Sequence, residues 1–150
     1  MKNKANKPLI LMAEDDPDDR MLFAEALNEL GLKEQVAFVE NGEELLHYLR
    51  AHCGNSGGNH RRTVVVLLDL NMPRKDGREA LREIKEDAEL KSIPVVVMTT
   101  SIAEDDVLLS YELGVNSYIT KPATFERLVE TLDAVTTYWL RTVRLPGERQ

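Results

Sequence analysis

Cys53 is the one cysteine in 150 residues, so no internal disulfide braces the chain and a disulfide-stapled secreted scaffold is excluded. Long apolar runs are missing too. The first run, Leu9 to Ala13, ends in acid at Glu14 and is too short for a signal peptide or a membrane span. Positive charge is scarce: 19 Lys and Arg face 26 Asp and Glu, a net charge of −7, the wrong sign for a protein that grips phosphate backbone. These absences lead to a cytoplasmic protein with no nucleic-acid and no membrane partner. What is present, 43% hydrophobic and 30% charged residues over a length of about one domain, describes an ordinary globular protein with one sizeable core.

Short apolar runs bounded by turn residues alternate five times with longer amphipathic stretches. That order predicts an α/β protein, a doubly wound parallel sheet covered by helices on both faces. Strands are expected at Leu9 to Ala13, Gln35 to Val39, Val64 to Asp69, Val95 to Thr99 and Ser117 to Thr120. The run Val64 to Leu68, Val-Val-Val-Leu-Leu, suits a central strand buried on both faces. Phe23, Ala26, Leu27 and Leu30 fall at i, i+3, i+4 and i+7, as do Phe125, Leu128, Val129 and Leu132, so each set makes the apolar stripe of a helix. Further helices are expected at Glu43 to His52 and Gly77 to Asp87. Gly31 and Gly114 should stop the first and fourth helices, and Pro17 suits a first turn. Residues 1–8 read as a tail, and Cys53 to Arg62, rich in Gly and Asn, as a mobile loop before the third strand.

In open α/β sheets ligands bind beyond the carboxyl ends of the strands. There the sequence places Glu14, Asp15 and Asp16 after strand one, Asp69 and Asn71 after strand three, Thr99 at the end of strand four and Lys121-Pro122 after strand five. Three or more clustered carboxylates repel one another, which a bound cation relieves. With oxygen donors and neither Cys nor His among them, the set suits Mg²⁺ or Mn²⁺ rather than zinc. A lysine and a hydroxyl facing the same spot supply what a transferred phosphoryl group requires, and Asp69 is the natural carboxylate nucleophile, forming an aspartyl phosphate. Taken singly, each residue has a plainer reading. Acids favour helix N-termini, which accounts for Asp18 and Asp19 as solvated surface; Thr99 and Thr100 suit a strand end, and Lys121 a turn before proline. Their joint placement is what marks a site.

These motifs resemble the receiver domains of two-component response regulators over nearly the whole chain, 9–138. Glu14-Asp15 is similar to the family's acid pair, Asp69 in Leu-Asp-Leu-Asn-Met-Pro to its phospho-acceptor, Thr99 to its switch hydroxyl, Lys121-Pro122 to its lysine and proline, and Tyr118 to its aromatic switch residue. The spacings, 30 residues from Asp69 to Thr99 and 22 from there to Lys121, are typical of it. The resemblance implies a flavodoxin-like fold with strand order 2-1-3-4-5. It further implies Mg²⁺ on Glu14, Asp15, Asp69 and the Asn71 backbone carbonyl, phosphoryl transfer from a phosphohistidine of a sensor kinase to Asp69, and a switch through Thr99 and Tyr118. Such a chain is a phospho-acceptor that assists its own phosphorylation and dephosphorylation, not an enzyme with a separate substrate. Two departures stand out: Glu14 replaces the commoner first Asp, and Thr100 stands where many receivers carry a smaller residue, which implies restricted access of water to the phosphoryl group.

After the fifth helix only 139–150 remain, a C-terminal tail too short for an output domain. Trp139 continues the helix-five stripe and either packs on its own core or, with Tyr118, joins a subunit interface. This tail, the Thr-Thr-Ser after strand four and the insertion at 53–62 resemble the small single-domain regulators of phytochrome-type histidine kinases, which implies such a kinase as partner and a homodimer built on helix four, strand five and helix five. Two rivals stand beside this reading. An aspartate-nucleophile phosphatase wants a second acid two residues after the nucleophile, where this chain has Asn71. A receiver acting as a binding module without phosphorylation would be expected to lack part of the set, yet Glu14, Asp15, Asp69, Thr99 and Lys121 are all present. The zinc set His47, His52, His60 and Cys53 matches no usual ligand spacing, and the acidic loop after strand one repels the phosphate of a flavin.

Overall fold

The computed structural model describes residues 9–53 and 63–146. Five strands, β1 (Leu9–Ala13), β2 (Val36–Val39), β3 (Val64–Leu68), β4 (Val95–Thr99) and β5 (Ser117–Thr120), pair in parallel in the order β2-β1-β3-β4-β5. Between and after them lie α1 (Pro17–Glu29), α2 (Gly42–His52), α3 (Gly77–Glu86), α4 (Glu104–Glu112) and α5 (Phe125–Thr137). The doubly wound architecture and the strand order are those expected from the sequence.

The pleat sends alternate side chains into two separate cores. Leu9, Leu11, Val64, Val66, Leu68, Val95 and Val97 meet α2 and α3 on one face. Ile10, Met12, Leu67, Val96 and Met98 meet Phe23, Ala26 and Leu27 of α1 and Leu128 and Leu132 of α5 on the other. β1, β3 and β4 are buried along their whole length, as their unbroken apolar runs require.

Element ends differ from the sequence expectation where backbone hydrogen bonds decide. Gln35 belongs to a 3₁₀ turn, Lys33–Gln35, and Asp69 lies just past β3, although its N–H still donates to the Ala13 carbonyl at 3.1 Å. Gly31 and Gly114 adopt φ of +76° and +103° at the ends of α1 and α4, the left-handed turns that stop these helices. Within the segment read as a tail from residue 139, Trp139, Leu140 and Leu145 are packed. α5 passes into a π-helical turn, Tyr138–Thr142, whose wider winding sets the neighbours Trp139 and Leu140 both against the α1/α5 core, and Leu145 is buried beyond it. Cys53 closes α2 in a buried position; the rest of the segment read as a mobile loop, 54–62, lies outside the described residues, as do 1–8 and 147–150. No helix among the described residues is long and apolar enough to cross a membrane.

Gly77 fixes the turn that follows Asp69. Its N–H donates to the Leu70 carbonyl at 2.9 Å, and a Cβ there would stand 2.2 Å from the Asp69 carbonyl oxygen and 2.6 Å from the Leu70 Cα. Both neighbours are backbone and cannot move aside as a flexible side chain can. Gly77→Ala is therefore expected to lower stability by about 1–3 kcal/mol through overpacking, measured by urea unfolding; an unchanged midpoint would show that the turn has slack.

Candidate functional site

Three strand ends deliver the charged residues by extending the sheet ladder one residue further. The Glu14 N–H donates to the Val39 carbonyl at 3.0 Å, that of Asp69 to Ala13 as above, and that of Lys121 to the Thr99 carbonyl at 2.8 Å. Glu14, Asp69 and Thr99 are buried, and Asp15 is half-buried beside them. The Lys121 ammonium donates to Glu14, to Asp69 Oδ2 at 3.1 Å and to Asp19 Oδ2 at 2.8 Å. Asp19 is thus not the solvated surface acid that its sequence position suggested. Asp16 caps α1, its Oδ1 accepting from the N–H groups of Asp18 at 2.8 Å and Asp19 at 3.3 Å, and this winds Asp19 back toward the strand ends.

Carboxylate oxygens of Glu14, Asp15 and Asp69 lie within 4.8 Å of one another. Oxygen donors at that spacing, with neither sulfur nor imidazole among them, fit a hard divalent cation. The Asn71 side chain is exposed, while its N–H donates to Asp69 Oδ1 at 3.2 Å and so pins the carboxylate. Beside Asp15 a hollow of about 370 Å³ is lined by Glu40, Asn41, Glu43, Glu44, Pro73 and Arg74. Burial pushes the Glu14 carboxyl up to about 7; Lys121 pulls it down and the neighbouring Asp69 adds to the rise. For Lys121 burial acts downward, but its bonds to Asp19 and Glu14 and the charge of Asp69 prevail and hold the ammonium above its ordinary range.

Thr99 and Tyr118 stand on the other face of the sheet. The Thr99 hydroxyl accepts from the Ser101 N–H at 3.5 Å, and the Tyr118 hydroxyl donates to the Ser101 carbonyl at 3.0 Å. Ser101 is in turn bound to Asp106 of α4, its hydroxyl donating to Oδ2 at 2.6 Å, and Arg78 of α3 grips the same carboxylate with Nε and Nη2, each at 2.8 Å. This fork holds the Asp106 carboxyl down at about 2, first through Arg78 and then through Ser101. Ser101 belongs to the Thr-Thr-Ser after strand four, but Arg78 and Asp106 carry no motif in the sequence; Asp106 sits in the acidic run Glu104 to Asp106, which reads as an ordinary helix start. Trp139 lies half-buried on its own core, edge-on to Tyr138 at 5.1 Å between ring centroids, and Thr100 is exposed.

Because Glu14 holds its proton more tightly in the fold than in the unfolded chain, its contribution favours folding below pH 4.5 and is lost as pH climbs through 7. The loss amounts to about 3 kcal/mol at most, at about 1.4 kcal/mol per pKa unit. Urea unfolding of wild type and Glu14→Gln at pH 5 and pH 8, without divalent metal, is expected to show the variant losing less stability over this interval; parallel losses would refute the assignment.

The response regulator receiver domain model matches residues 10–133. Response regulator Rcp1 of Synechocystis sp. is 41% identical over 148 residues, covering 98% of this chain and 99% of that protein. The crystal structure of the phosphorylated cyanobacterial phytochrome response regulator RcpA superposes with a TM-score of 0.81 at 44% identity, over 95% of this chain and 99% of that one. The Mn²⁺-bound form of Rcp1 superposes with a TM-score of 0.79 at 41% identity, over 94% and 99%. With the sheet order, the acid cluster and the lysine at the strand ends, these likenesses show that the chain belongs to the receiver domain family of response regulators.

Proposed function

We propose that Asp69 accepts a phosphoryl group from a phosphohistidine on a sensor histidine kinase, and that the modified chain signals by a change of surface. The observation that carries this is the Lys121 ammonium bonded to Asp69 Oδ2 at 3.1 Å inside a cluster of carboxylates, with Thr99 at the neighbouring strand end. An Asp69 carboxylate oxygen attacks phosphorus in line with the departing imidazole nitrogen; the O–P bond forms as the P–N bond breaks, and the nitrogen keeps the electron pair. Lys121 neutralises charge on the equatorial oxygens, and the Thr99 hydroxyl donates to one of them. Glu14, Asp15, Asp69 and the Asn71 backbone carbonyl would hold Mg²⁺, or Mn²⁺ in its place. Bound there, the ion supplies positive charge against the phosphoryl oxygens.

Movement of Thr99 toward the phosphoryl group draws on Ser101, to which Tyr118 and Asp106 are also tied, so the change is expressed around α4, β5 and α5. On that side Leu108 and Tyr111 of α4 are exposed apolar residues, and Ile102 just before the helix is 81% exposed. This supports a homodimer through the α4, β5 and α5 face; Trp139, packed on its own core, contributes at most an edge. Likeness to RcpA over nearly the full length supports a phytochrome-type kinase as the partner, acting in the cytoplasm. The chain works as a phospho-acceptor that assists its own modification and hydrolysis rather than as an enzyme with a separate substrate.

Incubation with acetyl phosphate followed by intact-mass measurement tests the acceptor. One added phosphoryl group is expected in wild type with Mg²⁺, and none in Asp69→Asn or without divalent metal. An adduct persisting in Asp69→Asn would move the acceptor elsewhere, and no adduct in wild type would overturn the reading.

A further inference from the structure

A lysine ammonium has three N–H bonds, and those of Lys121 are directed to three carboxylates, Glu14, Asp19 and Asp69. A phosphoryl oxygen that comes to Lys121 must displace one of them. The three are not equally held. The side chains of Glu14 and Asp69 are 2% and 8% exposed, so removing the ammonium from either strands a buried charge, whereas Asp19, at 34%, has water to turn into. Asp19 is also aimed by the helix that carries it. The Asp16 cap and Pro17 start α1 so that Asp19 lies in its first turn, four residues before buried Phe23, and the Phe23 ring centroid is 6.0 Å from Lys121 Nζ. Both residues therefore border the same ammonium. Asp18, next in sequence, carries the same charge but is exposed and is not among the ion-pair partners of Lys121.

We infer that Asp19 is a positioning residue for phosphoryl transfer: a counter-ion that parks Lys121 in the unmodified chain and competes with the incoming phosphoryl oxygen for it. The inference rests on Asp69 as the acceptor. Asp19 acts through Lys121 and touches neither phosphorus nor the cation. When the donor arrives, the Asp19 carboxylate is released to water and one Lys121 N–H passes to a phosphoryl oxygen; Glu14 and Asp69 keep theirs. Asp19 thereby raises the donor concentration at which Asp69 is modified, without supplying any group to the reaction.

The test is the initial rate of adduct formation in the full chain against acetyl phosphate concentration at saturating Mg²⁺, followed by intact mass. Wild type, Asp19→Asn, Asp19→Glu, Asp18→Asn and Asp69→Asn are compared. Asp19→Asn is expected to lower the half-saturating donor concentration about two- to fivefold, the effect of losing a partly exposed ion pair. Asp19→Glu, which restores the carboxylate, and Asp18→Asn, which removes the same charge away from Lys121, are expected to stay close to wild type. An equal gain in Asp18→Asn would reduce the effect to net charge. A higher Mg²⁺ requirement in Asp19→Asn would make Asp19 a metal ligand, and an unchanged or raised half-saturation would show no competition; each of these overturns the inference. Asp19→Ser, carried in parallel, keeps a folding defect in one variant from standing in for the effect. A wild-type adduct indifferent to Asp19 would sink this inference alone, whereas no wild-type adduct would sink the acceptor reading beneath it.

Discussion

Lys121 reaches from the end of β5 to carboxylates that belong to β1, β3 and α1, and the site depends on that one ammonium. Glu14 and Asp69 are buried acids whose charges would repel each other in a poorly screened setting. A partner with three donors makes their burial tolerable, at the cost of fixing where each strand must end. The compensation is incomplete: three carboxyl groups bond one lysine, and a fourth, Asp15, lies beside Glu14 and Asp69. Burial raises the Glu14 carboxyl and the charge of Asp69 adds to that rise, while the excess of carboxylates suits the place to a divalent cation. That excess shapes the resting site, and a cation bound there would offset it against an incoming phosphoryl group.

From this cluster the structure leads outward by two routes that meet at one carboxylate. Thr99 is joined through Ser101 to Asp106, and the turn behind Asp69 is joined through Gly77 and its neighbour Arg78 to Asp106 as well. Tyr118 hangs on the same Ser101. Helix α4 is therefore held by hydrogen bonds that begin on both sides of the acceptor. Such an arrangement favours two discrete positions of the β4–α4 segment over gradual drift, because breaking the fork leaves partly buried charge behind.

Much of this was legible in the sequence because the signals were local. Unbroken apolar runs marked β1, β3 and β4, and the i, i+3, i+4, i+7 stripes marked α1 and α5. Glu14, Asp15, Asp69, Thr99 and Lys121 could be brought together from the rule that ligands meet strand ends. What escaped depended on phase or on distance along the chain. Asp18 and Asp19 look alike until the Asp16 cap fixes where α1 begins, although the four-residue step from Asp19 to Phe23 held a clue. Arg78 and Asp106, 28 residues apart, meet only once α3 and α4 are folded side by side. The π-helical turn after α5 left no mark in the pattern, since Trp139 already fitted the stripe of an ordinary helix.

The two cores have a consequence for how labour is divided across the sheet. Along β1 and β3 positions 9, 11, 64, 66 and 68 face one core and 10, 12 and 67 the other, and the ladder runs one residue further to Glu14 and Asp69. By that alternation Glu14, Asp69 and Lys121 continue the side covered by α1 and α5, while Thr99 and Tyr118 continue the side covered by α2 and α3. The carboxylates and lysine thus sit on one face of the sheet and Tyr118 on the other, with the Thr99 hydroxyl as the link between them through Ser101. Parity holds that link in place: a one-residue deletion within β4 would leave a paired, apolar strand and yet turn its terminal hydroxyl away from Ser101, cutting the tie to Tyr118 and Asp106.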